Sequence, residues 1–295
     1  MHFNFPSIGL ALWLGLFVSF ESNAQSIRAQ QLAPHTYALM GRGGNIGVFV
    51  GADEIFVVDS QYEDLTESIL ETIDSIASKP IRFLVNTHSL SDHIGGNSNF
   101  TARGTTIIAH QKVLERLIVQ NFDSLGNPRG RIRKSHLPKI TFTDQLELQT
   151  DPHHQILVFH IEKAHTDGDC IVYFSAENVL HMGDVFFNGR FPFIHQEAGG
   201  TIDGVIAAVN QALILCTEET VVIPGHGVVG TTTDLKNYRN MLQTIRDRIF
   251  KAKKRGKSLA EIIAQNPTKE WNTSHGQARI KPHMFGEDVF RSLSL

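Results

Sequence analysis

The stretch Asn86-Thr87-His88-Ser89-Leu90-Ser91-Asp92-His93-Ile94-Gly95-Gly96-Asn97 places two imidazoles and a carboxylate between positions 88 and 93, directly after the apolar run 82–86. A buried strand that ends in this way can aim all three side chains into one cleft, and nitrogen with carboxylate oxygen is a donor set that zinc accepts. Gly95-Gly96 lets the backbone pass close to a metal or start a helix without a clash. Taken alone, the segment also fits a polar loop with solvated histidines.

Upstream, the β-branched runs 45–50 and 54–60 are separated by Gly51-Ala52-Asp53 and read as a hairpin. Leu65, Ile69, Ile73 and Ile76 share one helical face, and Lys79-Pro80 ends that helix. Downstream come a strand at 106–109, a helix at 111–119, and an aperiodic segment at 122–139, rich in Gly, Pro, Arg and Lys, that reads as a mobile surface loop. Runs at 146–148, 156–161, 170–174 and 179–181 predict a second, mainly antiparallel sheet. Thr201 caps a helix to about residue 215, residues 221–223 form a strand, and Leu235, Tyr238, Leu242, Ile245 and Ile249 mark a long amphipathic helix. The tail from Asn266 reads as irregular. Strands followed by helices occur twice without an exact repeat, which predicts two halves packed sheet on sheet with helices outside and no interdomain linker.

Three later segments carry metal-binding residue types: Ala164-His165-Thr166-Asp167-Gly168-Asp169, His181-Met182-Gly183-Asp184 and Pro224-Gly225-His226-Gly227. With the first stretch they resemble, in order, the motifs of the metallo-β-lactamase superfamily, whose signature is HxHxDH after a strand. The resemblance implies an α/β fold of the αββα four-layer sandwich type, with the site at one edge between the sheets. It implies a first metal site of His88 and His165, a second of Asp92, His93 and His226, and Asp184 bridging. Leu90 stands where the family has its second histidine and offers no lone pair.

Three readings of Leu90 stay open. One zinc is held tightly at the second site while His88 or His165 orients or deprotonates water, with Asp92, His88 and His165 as the catalytic set. Alternatively a water or another histidine (His153, His154 or His195) completes the first site, or the chain binds metal or ligand with little turnover. One tightly held zinc is favoured over two. Asp59 resembles the family aspartate that holds a ligand in place, and equally suits a strand-end turn. Phe186, Phe187, Phe191 and Phe193 fit a pocket wall or plain core, and Arg190 fits a substrate carboxylate or a solvated surface. His275 and His283, without a motif, read as surface residues.

The chain has 295 residues, 41% hydrophobic and 19% charged, with a net charge of −3 and no basic excess that would favour nucleic acid. A small-molecule substrate is the expected partner; oligomeric state is left open. Fifteen histidines against two cysteines favour imidazole over thiolate ligands, and Cys170 and Cys216 have no disulfide-framework spacing and read as two separate buried thiols. The uncharged apolar run 8–20, followed by Ser22-Asn23-Ala24-Gln25, reads as a secretory signal peptide, too short for the ~20 residues of a membrane span. The expected organisation is a signal peptide at 1–24, one metallo-β-lactamase-like domain at 25–265 and a tail at 266–295 packed on the same domain, in the periplasm or secreted, with no stable membrane insertion after cleavage. The resemblance and export together imply zinc-activated water acting on an acyl bond of β-lactam, lactone or thioester type.

Overall fold

The computed structural model describes residues 27–123, 129 and 133–294. The expected signal peptide and residues 124–128 and 130–132 of the expected mobile loop lie outside the described residues. One sheet sets β1 (Arg28–Gln31), β2 (Thr36–Met40), β3 (Ile46–Val50), β4 (Ile55–Val58), β5 (Ile81–Asn86), β6 (Thr106–His110) and β7 (Ile140–Phe142) side by side in chain order. Pairing is antiparallel from β1 to β4 and parallel from β4 to β7. The parallel crossovers need helices, which α1 (Thr66–Ile76), the short α2 (Ser91–Ile94) and α3 (Asn97–Ala102), and α4 (Gln111–Asn121) supply.

The second sheet comprises β8 (Gln145–Asp151), β9 (His154–Ile161), β10 (Asp169–Phe174), β11 (Val179–His181), β12 (Val221–Ile223) and β13 (Gly230–Thr231), antiparallel except for β11 with β12. Its outer face carries α5 (Ile202–Leu215), capped by the Thr201 hydroxyl accepting from the Gly204 N–H, and α6 (Thr232–Lys254). Then follow α7 (Leu259–Ala264), α8 (Asn272–His275) and α9 (Pro282–Ser292).

The alternation of side chains along each strand makes three apolar layers. Phe49, Phe56, Val58 and Val85 meet Val158, Val172 and Phe174 between the sheets. Ile55 and Val57, one residue out of phase, face Ile69 and Ile73 of α1. Ile171, Leu180 and Val222 face α5 and α6. The result is the αββα sandwich.

Two expectations need correction. The tail is not irregular: Pro282 opens α9, and Phe285 and Val289 are buried in the same cluster as Leu242 and Ile245 of α6. The stretch 122–139 is anchored where it is described, since the His136 carbonyl accepts from Asn97 Nδ2 at 3.0 Å and the Ser135 carbonyl from the Thr101 hydroxyl at 2.9 Å. Cys170 is buried between the sheets and Cys216 half-buried after α5; both thiols are free. No helix among the described residues is long and apolar enough to cross a membrane.

Candidate metal centre

Residues from both sheets converge at one end of the sandwich. His88 follows β5, Asp92 and His93 lie on α2, His165 sits between β9 and β10, Asp184 lies in a tight turn after β11, and His226 follows β12. The Thr87 carbonyl accepts from the Cys170 N–H at 2.9 Å, tying the first histidine loop to the second sheet. Gly95 and Gly96 allow α2 to press on another loop, not on a metal: a Cβ at Gly95 would lie 2.8 Å from the Gln61 oxygen, and one at Gly96 2.7 Å from the Ser60 oxygen. At Gly225 the contact is with the site itself, because a Cβ would lie 2.1 Å from Asp184 Oδ1.

The six predicted ligand residues fall into two groups, His88 with His165 and Asp184, and Asp92 with His93 and His226; within each group one donor atom per residue lies within 4.8 Å of the others. Asp184 serves both. Its Oδ1 lies 3.2 Å from His93 Nε2 and 3.5 Å from His226 Nε2, and its Oδ2 lies 3.8 Å from His88 Nε2 and 3.9 Å from His165 Nε2. Asp92 Oδ2 completes the second group at 3.2 Å from His226 Nε2 and 3.9 Å from His93 Nε2. Ligand atoms on one tetrahedral zinc, with bonds of ~2.0–2.1 Å, stand about 3.3 Å apart, so the second group has the spacing of a coordination shell.

The strongest sign that an ion fits is the set of polar atoms with nothing to bond. His88 Nε2, His93 Nε2, His165 Nε2 and Asp184 Oδ1 are buried and lack a hydrogen-bond partner. Each such orphan costs about 1–3 kcal/mol unless something satisfies it. Four of them aimed at one space make a cation the natural occupant.

Asp59 orients two of these rings. Its Oδ1 accepts from the Thr87 N–H at 2.8 Å, and its Oδ2 accepts from the Thr87 hydroxyl and from His93 Nδ1, each at 2.7 Å. A hydroxyl has one proton, so a Thr87 that donates to Asp59 must accept at its 2.9 Å contact with His88 Nδ1. Both histidines therefore carry a proton on Nδ1 and turn Nε2 toward the site. Asp169 lies 3.5 Å from His165 Nδ1 and is held by the Thr166 N–H at 2.7 Å. His181, inside one of the motifs, is no part of the cluster: its Nδ1 accepts from the Gly183 N–H and its Nε2 faces the Asn45 carbonyl at 3.0 Å.

Charge follows the same plan. Burial opposes ionisation of Asp184, yet His93 and His226 hold its carboxyl well below the usual range. Asp92 is also lowered, burial being outweighed by His226 and His93. Burial would neutralise His93, but Asp184 and Asp59 raise it well above an ordinary imidazole. His88, pushed down by burial and by His93, stays neutral with its Nε2 lone pair available.

The sequence profile of the metallo-beta-lactamase superfamily matches residues 39–226, more than half of the chain. The chain belongs to the metallo-beta-lactamase superfamily. It is 29% identical over 147 residues to a hydroxyacylglutathione hydrolase of Polaromonas sp. (strain JS666 / ATCC BAA-500), covering 50% of this chain and 48% of that protein. It is 25% identical over 139 residues to the probable metallo-hydrolase YybB of Bacillus subtilis (strain 168), covering 47% and 60%. The chain thus spans about half of the length of these relatives. In fold it is similar to a metallo-beta-lactamase from Pontibacter korlensis, with a TM-score of 0.60, 16% identity and coverage of 74% of this chain and 99% of that one. The DIM-1 metallo-beta-lactamase is similar too, at a TM-score of 0.61, 19% identity and coverage of 74% and 98%.

Leu90, expected from the resemblance to stand where a second histidine belongs, precedes α2 and lines a cavity together with Asp92, Asp184 and His226. The histidines considered as substitutes do not replace it. His153 and His154 belong to another part of the molecule, beside Asp151, and His195 lines the cavity without joining either ligand group. The cavity, about 400 Å³, is walled by Phe187, Phe191 and Phe193, while Phe186 is core packed on Tyr238. Arg190 lines it, joined by Arg42, Tyr62 and Arg279, which no motif announces. His275 is half-buried with its ring 5.8 Å from that of Phe191, whereas His283 is exposed.

Proposed function

We propose that this chain is an exported, zinc-dependent hydrolase that cleaves an acyl bond of a small, anionic molecule. The observation that carries the reading is Asp184, whose two oxygens face two pairs of imidazoles, those of His88, His93 and His165 presenting buried Nε2 atoms without a hydrogen-bond partner. Asp92, His93, His226 and Asp184 would hold a zinc ion, which would supply Lewis acidity toward water and a substrate carbonyl. The residues around it do the rest. Asp92, kept ionised by His226 and His93 and more open to the cavity than Asp184, accepts a hydrogen bond from the attacking water. His88, kept neutral by burial and by His93, offers its Nε2 as a hydrogen-bond acceptor that orients water, and the His165 ring packs beside it.

Phe187, Phe191 and Phe193 exclude water from the acyl group. Arg190 and Arg279 have no carboxylate partner among the described residues, so their guanidinium groups are free to hold a substrate carboxylate; Arg42 already pairs with Asp64 at 2.6 Å. The chemistry suits thioesters, lactones and β-lactams. The thioester is favoured by the hydroxyacylglutathione hydrolase relative, and the β-lactam by the export expected from the apolar run 8–20.

A panel of chromogenic thioester, lactone, β-lactam and phosphodiester substrates assayed with added zinc tests this. Turnover of an acyl substrate that disappears in Asp92→Ala is the expected result. Silence across the panel with zinc bound would establish the alternative that Leu90 motivates, a metal-binding protein without turnover.

A further inference from the structure

A third cluster of metal-ligand residue types lies at the opposite end of the sandwich. His35 precedes β2, whose other end leads to Gly44 beside the His93 ring, and Glu177 follows β10, whose first residue Asp169 lies beside His165. The six residues of β10, at ~3.3 Å each, put about 20 Å between the two ends.

His35, His154 and Glu177 each offer one donor atom within 4.8 Å of the other two. His154 Nδ1 lies 2.8 Å from Asp151 Oδ2 and 3.0 Å from Oδ1. An ionised carboxylate only accepts, so Nδ1 carries the shared proton and Nε2 points toward Glu177. That is the carboxylate–histidine arrangement which fixes the tautomer of a metal-bound imidazole. Asp151 is itself held, accepting from the backbone N–H groups of His153 at 2.8 Å and His154 at 3.1 Å.

The distance from His154 Nε2 to Glu177 Oε1 is 3.6 Å, too long for a hydrogen bond and near the ~3.3 Å between two ligands of one zinc. The Glu177 side chain is only 5% exposed, and its other oxygen accepts from the His35 N–H at 2.9 Å, so the carboxylate is pinned with one oxygen turned to the His154 ring. The rings meet edge to face with centroids 5.1 Å apart, backed by Phe49 at 5.5 Å from His154.

We propose that His35, His154 and Glu177 bind a single zinc-type transition-metal ion, with Asp151 orienting His154. Two imidazoles and a carboxylate suit zinc, and water completes the shell. The ion joins the turn before β2 of one sheet to the start of β9 and the turn after β10 of the other, clasping the sandwich far from the catalytic end. This site stands independently of the proposed hydrolase activity.

The test is zinc bound per chain, measured by elemental analysis after equilibrium dialysis of the untagged full chain against zinc chloride. Glu177→Gln keeps an acceptor for the His35 N–H, and His35→Ala alters an exposed ring, so neither threatens folding. Each variant is expected to bind one zinc fewer than the parent, and to lose a further ion when combined with Asp92→Ala. Unchanged stoichiometry in both single variants would overturn the site, leaving His154 as a histidine set between two carboxylates. Loss in one variant only would overturn the three-ligand assignment.

Discussion

Asp59 sits at φ 65°, a left-handed backbone that Asp and Asn tolerate better than most side chains. From there one carboxylate reaches His93 directly and His88 through Thr87. Asp59→Asn preserves backbone preference and size but removes the charge and one acceptor position, so zinc affinity should fall about 10–100-fold with little change in fold. Competition with a chromogenic chelator measures it; unchanged affinity would mean that Asp59 serves only its turn. Leu90→His puts an imidazole on the cavity wall that Asp92, Asp184 and His226 also line, and the expected outcome is one additional tightly held zinc per chain by elemental analysis. If stoichiometry stays the same, the missing histidine does not by itself limit nuclearity. Asp92→Ala should lower kcat/KM by about 10²–10⁴-fold on any acyl substrate found, the scale of a lost metal contribution of several kcal/mol.

Elements differ in how openly the sequence announces them. The hairpin of β3 and β4, α1, β9 to β12, α5 and α6 each carry an apolar period that their burial explains, and the six candidate ligand residues could be picked out and are found together because each sits in a short motif at a strand end. β1 was not, since Arg28–Gln31 is exposed throughout and owes its strand form to pairing with β2. The cavity arginines were missed for a related reason: Arg42, Arg190 and Arg279 lie far apart along the chain and meet only when both sheets and the tail are in place. α9 did leave a trace, with Phe285, Val289 and Leu293 spaced by four after Pro282, a stripe that is buried against α6.

On that helix burial and the neighbouring Glu287 raise the Asp288 carboxyl to about 6. A carboxyl raised on folding binds its proton more tightly in the native state, so its ionisation weakens the fold as pH rises through about 6, and the loss is absent below the unfolded value near ~3.9. Asp288→Asn should therefore raise Tm at pH 7.5 and leave it unchanged near pH 4, as read by thermal melts across that range. An equal shift at both pH values would show a packing effect instead.

At the scale of the whole molecule, the candidate metal centre is also where the sheets are held together. His88 and His93 belong to the segment after β5 of the first sheet, His165, Asp184 and His226 to loops of the second, and their buried side chains meet beside backbone links such as that from the Cys170 N–H to the Thr87 carbonyl. Without a cation, Asp92 and Asp184 share that space, Asp184 pushing the Asp92 carboxyl up, while His226 and His93 outweigh that push and hold both carboxyls low. An ion that binds the folded chain alone adds about 2.7 kcal/mol when its free concentration is 100 times its Kd. At roughly 2–4 °C per kcal/mol for a domain approaching this size, removing zinc with a chelator should lower Tm by about 5–10 °C. Readdition of zinc should restore it. In Glu177→Gln the same treatment isolates the contribution of the centre around Asp184, because the cluster at the far end is then disabled. A chelator-induced shift that persists there, and that vanishes when Asp92→Ala is added to Glu177→Gln, assigns the clasp to the centre around Asp184; a melt indifferent to chelator in both the parent and Glu177→Gln would mean that packing between the sheets, through Phe49 and Phe174, suffices without metal.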